Sequence, residues 1–99
     1  MSWATNYIMK LDKGQTVSFR PRGNSMTPKI KSGDLVTVSP DINKLEKGDV
    51  VLCKIKGYVL LHLISAIKGD QYQISNNQGH VNGWTTKKNI YGKVIDVSA

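Results

Sequence analysis

Glycine and its polar neighbours cut this chain into pieces too short for long helices. Turn signals stand at Ser32-Gly33-Asp34, Gly48-Asp49, Lys56-Gly57 and Lys68-Gly69-Asp70, and a polar, glycine-containing loop is expected over residues 76–83. Glycine reverses the backbone at little cost because it enters the left-handed region that other residues avoid. The runs between these signals are rich in β-branched and aromatic residues: Leu35-Val36-Thr37-Val38, residues 50–55, 58–64, 71–74 and 90–97. Such runs read as strands, and residues 16–20 alternate like one more. Lys56-Gly57 joins two of the runs into a hairpin. Short strands separated by turns at spacings of about 8–12 residues predict a mainly β fold, a small coiled β-sheet or partly open β-barrel. The only helix this pattern allows is one short turn, at the N-terminus or just after Ser25.

The 99 residues suit a single domain over 1–99, with residues 1–15 as a short N-terminal extension. The lone cysteine, Cys53, lies in a strand-like run and reads as a small core residue. It permits no intramolecular disulfide, which suits a reducing compartment. No apolar run approaches the roughly 18 residues a membrane span needs; the densest, residues 59–67, is interrupted by His62 and Ser65. The first residues carry no basic segment followed by an apolar one, so no secretory signal is read there. The expectation is a soluble, cytoplasmic protein with no membrane span.

The net charge is +7, from twelve lysines and two arginines against seven acids. That balance favours acidic partners, nucleic acid among them. The lysines are scattered from Lys10 to Lys93, however, and arginine, which reads bases and phosphates bidentately, is scarce. A solvated basic surface is the simpler reading.

The stretch Gly23-Asn24-Ser25-Met26-Thr27-Pro28 carries the chemistry of interest. A serine between glycine and proline can sit on an unusual backbone that presents hydroxyl and amide together. A serine nucleophile also needs a base, because its hydroxyl is weak at its own pKa. The chain offers His62, His80 or a lysine. His62 interrupts an otherwise apolar strand, Tyr58 to Ile64. It either fills a half-buried core position and donates to a carbonyl, or is a base kept neutral by burial. Spacing permits a Ser–His pair without demanding one.

The order Gly23-Asn24-Ser25-Met26-Thr27-Pro28, Ser32-Gly33-Asp34, Gly48-Asp49-Val50-Val51, Val59-Leu60-Leu61-His62-Leu63-Ile64 and Ile90-Tyr91-Gly92-Lys93-Val94 resembles the LexA-like and signal-peptidase superfamily of serine proteases. The likeness covers roughly residues 19–97. It implies a fold of the LexA C-terminal or signal-peptidase type, with Ser25 attacking a peptide carbonyl. Repressor-type and bacterial signal-peptidase members use a lysine base; His62 stands at the matching place, as in the signal peptidases of the endoplasmic reticulum and archaea. By this likeness His62 becomes the general base, and Lys54 and Lys56 become solvated charges near a turn. Asn24, Met26 and Val36 are expected around the oxyanion or substrate, with Met26 and Val36 lining an apolar cleft. Asn77 and His80 are possible auxiliaries.

Two departures accompany the likeness. Signal peptidases carry an acid after an Asp-Asn stretch, whereas residues 75–82 here hold no carboxylate. The serine that bacterial enzymes place two residues before the nucleophile is Gly23, so the oxyanion hole would rest on backbone donors, chiefly the Ser25 amide. No cofactor is expected, and His62, His80 and Cys53 lack zinc-ligand spacing. Repressor-type relatives carry an N-terminal DNA-binding domain and signal peptidases a membrane anchor; neither is expected here, and no alanine precedes a glycine for self-cleavage. The expected role is therefore a stand-alone phage- or bacterial-type peptidase cleaving a protein substrate in trans, with small residues before the scissile bond as in the family. The competing role is a non-catalytic module of the same fold that binds a partner protein or nucleic acid through its basic surface.

Overall fold

The run Val50-Val51-Leu52-Cys53 does not alternate between apolar and polar, and the fold supplies the reason. In the computed structural model, which describes residues 3–23 and 25–99, these four side chains are buried on both faces of one strand. Val50 and Leu52 enter one core with Leu11, Val17, Phe19, Met26, Val36 and Val38. Val51, Cys53 and Ile55 enter a second with Ile64, Ile74 and Ile90.

The chain runs α1 (Thr5–Asp12), β1 (Val17–Phe19), β2 (Leu35–Ser39), β3 (Val50–Ile55), β4 (Tyr58–Lys68), β5 (Gln71–Ser75), β6 (Val81–Thr86), a 3-10 turn (Lys87–Asn89) and β7 (Ile90–Ser98). The strands form one antiparallel sheet in the order β1-β2-β7-β3-β4-β5-β6. The sheet coils far enough for the Thr85 hydroxyl on β6 to donate to the Lys54 carbonyl on β3, 3.3 Å away. The mainly β, coiled-sheet expectation holds. No helix among the described residues is long and apolar enough to cross a membrane.

The turn motifs work as backbone devices. Gly33 and Gly48 have φ of +90° and +96°. The aspartate after each accepts a backbone amide, Lys31 N–H to Asp34 Oδ2 at 2.9 Å and Glu46 N–H to Asp49 Oδ2 at 2.8 Å. Gly48 and Asp49 also bond the Ile64 backbone at 2.7 and 2.8 Å, which extends the β3–β4 ladder beyond His62.

Two segments differ from expectation. Residues 81–83 belong to β6 rather than to a loop, because Val81 and Gly83 pair with Ser75 and Ile74 of β5 and Asn82 is the extra residue at the bulge between them. Residues 5–12 form an eight-residue helix rather than a single turn, and it packs into the domain instead of extending from it. Ala4, Tyr7, Ile8 and Leu11, at helical spacing, face the first core, where Ala4 is 0% and Leu11 3% exposed.

Gly92 on β7 lies where that helix, β2 and β7 meet. A Cβ there would fall 2.6 Å from Val38 Cγ1, 2.8 Å from the Ser39 carbonyl oxygen and 3.2 Å from Leu11 Cδ2. Because one obstacle is backbone, side-chain rotation cannot relieve it. Gly92→Ala is expected to cost on the order of 1–3 kcal/mol, read as a lower urea midpoint with an unchanged m-value.

Candidate active site

Ser25 lies in the loop between β1 and β2, and its neighbour explains its exposure. Met26 is 4% exposed and anchors the loop in the core, leaving Ser25 on the outer side. The loop is closed at its base by Arg20 Nη1 donating to the Gly33 carbonyl at 2.7 Å and by Gly33 N–H donating to the Pro21 carbonyl at 3.1 Å. From the other side Asn77 clamps it. The Asn77 amide N–H donates to the Ser25 carbonyl at 2.9 Å, and its side-chain Nδ2 donates to the Thr27 carbonyl at 3.1 Å. Asn76 in turn shapes that clamp: its Oδ1 accepts the amides of Gln78 and His80, both at 2.9 Å.

His62 stands on β4 opposite Val51 of β3 and is 9% exposed. Its Nε2 lies 3.1 Å from Ser25 Oγ and its Nδ1 lies 2.7 Å from Asn82 Oδ1. An amide oxygen only accepts, so Nδ1 carries the proton. In the neutral ring Nε2 then holds the lone pair, and the Ser25 hydroxyl donates to it. Burial lowers the His62 pKa below the usual imidazole value of 6.5; the Asn82 hydrogen bond opposes this in part, and the nearby His80 lowers it further. The ring is therefore neutral at pH 7, with its free lone pair facing a hydroxyl.

The pair opens onto a cleft of about 480 Å³. One wall is aromatic, built from Trp3, Tyr7 and Phe19; the other is apolar β4, at Val59, Leu60 and Leu61. Met26 and Val36 do not line it: at 4% and 0% exposure both are core residues, because Ser25 and Val36's neighbours take the outward positions. A second cavity of about 380 Å³ contains Lys56, His80 and Asn82 in its lining and shares Leu60 with the first. His80 thus borders the Asn82 side of the imidazole, exposed and without a direct bond to it. Asn24 lies outside the described residues. Lys54 and Lys56 do not border the cleft that holds Ser25. Burial pushes the Cys53 thiol up to about 12, which leaves it a core residue rather than a reactive one. Among the described residues no three His, Cys, Asp or Glu side chains converge.

Asn82 was not singled out by sequence reasoning, since it sits in a stretch that looks like a turn. Its signal is the need of a buried imidazole for a partner at each nitrogen. Tyr7 was missed for want of the helix that carries it, and Trp3 for want of the turn that leads into that helix.

A family model described as Peptidase S24-like matches residues 2–95, nearly the whole chain. No curated protein matches it.

Titrating His62 by NMR checks the site's electrostatics. The expected result is an Nδ1-protonated neutral ring with a pKa below 6.5. Asn82→Ala should lower that pKa further, and Asn82→Asp should raise it, because a carboxylate favours the imidazolium.

Proposed function

Because the chain belongs to the Peptidase S24-like family, we propose that it is a serine peptidase acting on a protein or peptide in trans, with Ser25 as nucleophile and His62 as general base. The observation that carries this reading is the hydrogen-bonded series Ser25 Oγ, His62 Nε2, His62 Nδ1, Asn82 Oδ1, with contacts of 3.1 and 2.7 Å. That series supports catalysis over a purely binding role, since a histidine kept only for packing needs no exposed serine at its free nitrogen.

In this mechanism the Ser25 oxygen attacks the scissile carbonyl while its proton passes to Nε2. The developing oxyanion is met by backbone donors, the Ser25 amide chief among them. The imidazolium then gives its proton to the leaving amine, and the C–N bond breaks to leave an acyl-serine. Water, deprotonated by the same nitrogen, releases the acid and restores the hydroxyl. Asn82 is a positioning residue: it fixes the tautomer but brings no negative charge to the imidazolium. The expected enzyme is therefore slow, for want of a charge behind the imidazole and of a side-chain donor at Gly23.

A fluorophosphonate probe followed by intact mass, from about pH 5 to 9, tests the assignment. Adduct formation on Ser25 should rise through a pKa below 6.5 and level off above it, since only neutral imidazole accepts the proton. A lysine base would instead drive the rate upward through the alkaline range. Ser25→Ala should abolish labelling and His62→Ala should reduce it by about 10³-fold or more. On the alkaline plateau Asn82→Asp should accelerate it on the order of tenfold. Labelling indifferent to His62, or no Ser25 adduct and no Ser25-dependent peptide cleavage at any pH, overturns the proposal.

A further inference from the structure

The two arginines of this chain, Arg20 and Arg22, both border the cleft beside Ser25. Arg20 is steered by its 2.7 Å bond to the Gly33 carbonyl. Arg22 is exposed and has no hydrogen-bond or ion-pair partner among the described residues. Among the described residues no carboxylate lines the cleft, and the ion pairs Lys44–Glu46 and Lys93–Asp49 involve none of its residues. Guanidinium groups gathered at the rim of an apolar cleft are matched to a carboxylate, which they bind bidentately and more strongly than in open water.

The walls define the rest of the ligand. Tyr7 and Phe19 stack at 4.5 Å and 21°, and Trp3 tilts over Phe19 at 5.6 Å. The volume, about 480 Å³, is within the ~300–1,000 Å³ typical of ligand sites. It exceeds what a small side chain needs, and the aromatic wall gains most from a large apolar one. We infer that the cleft takes an extended peptide segment bearing a bulky apolar side chain beside an acidic one, and that this pairing selects the substrate. The inference rests on the peptidase reading for its consequence, cleavage near that segment, and departs from the small-residue preference of the wider superfamily. A basic, aromatic surface also suits single-stranded nucleic acid, which stacks its bases on open ring faces. Here Tyr7 and Phe19 cover each other and Phe19 is only 6% exposed, which leaves Trp3, 53% exposed, as the open ring face. One face can take one bulky side chain but not successive bases, so the peptide is favoured.

Binding is measured on Ser25→Ala protein carrying Trp84→Phe, so that Trp3 reports as the remaining tryptophan. The probes are short peptides containing Phe-Glu, the same peptides with Phe-Gln or Ala-Glu, and oligo(dT). The Phe-Glu peptide should bind about tenfold more tightly than either relative, an advantage that Arg22→Gln removes and added salt weakens. Equal affinity for the three peptides, an unchanged preference in Arg22→Gln, no peptide binding, or displacement of the peptide by oligo(dT) at lower concentration overturns the inference. Hydrolysis by wild-type protein separates the two readings. Selective binding without Ser25-dependent cleavage sinks the peptidase and keeps the ligand class. Ser25-dependent cleavage of all three peptides alike does the reverse.

Discussion

A strand buried on both faces has almost no freedom of register. Moving β3 by one residue would exchange Val50 and Leu52 with Val51 and Cys53 between two differently shaped cores, and Lys54 would be driven inward. Its partner strands inherit that rigidity. Through pairing with Val51, β3 sets the height of His62; through the Thr85 bond to Lys54 it draws β6 back, and with it Asn82. The imidazole is thereby held between a strand it belongs to and one that returns from the far end of the sheet. Ser25 reaches the same point by a different route, on a loop that has Met26 as its buried anchor and Asn77 as its clamp.

The polar chain through the site has only one consistent protonation pattern at neutral pH, and its uncharged end determines it. A carboxylate in place of Asn82 would fix the same tautomer while also holding a positive ring. An amide fixes the tautomer and leaves the ring to be neutralised by burial. Geometry and charge stabilisation, commonly supplied together by one acidic residue, are separated in this protein.

Much of the scaffold could be read from residues. The Gly33-Asp34 and Gly48-Asp49 turns announce themselves because glycine adopts those φ values at little cost and an aspartate three residues after a free amide accepts it. His62 is conspicuous as the one ionisable group in an apolar run. Asn82 is not, because Asn-Gly is also the commonest signature of a hairpin turn, and pairing of its neighbours with β5 overrides that local preference. Met26 and Val36 were expected at the cleft by the likeness to the family. Residues 25–29 form a turn instead, in which the Ile30 N–H donates to the Met26 carbonyl at 2.9 Å, and it sends Met26 into the core while Ser25 stays exposed. The helix was legible at positions 4, 7, 8 and 11, whose spacing fits one apolar face, but proximity to the chain start made the segment look like an appendage.

That helix gives the cleft a stability of its own. It has eight residues and no acidic side chain in its first turn, too short to persist in water without its docking contacts. Trp3 and Tyr7 stay in place only while Ala4 and Leu11 remain seated, whereas His62 and Asn82 stand on sheet strands and the Ser25 loop is clamped by Asn77. Local unfolding of residues 3–12 therefore removes one wall of the cleft and leaves the polar chain intact. As temperature rises the cleft therefore comes apart in order: its aromatic wall goes first, and the hydrogen-bonded series from Ser25 to Asn82 goes later.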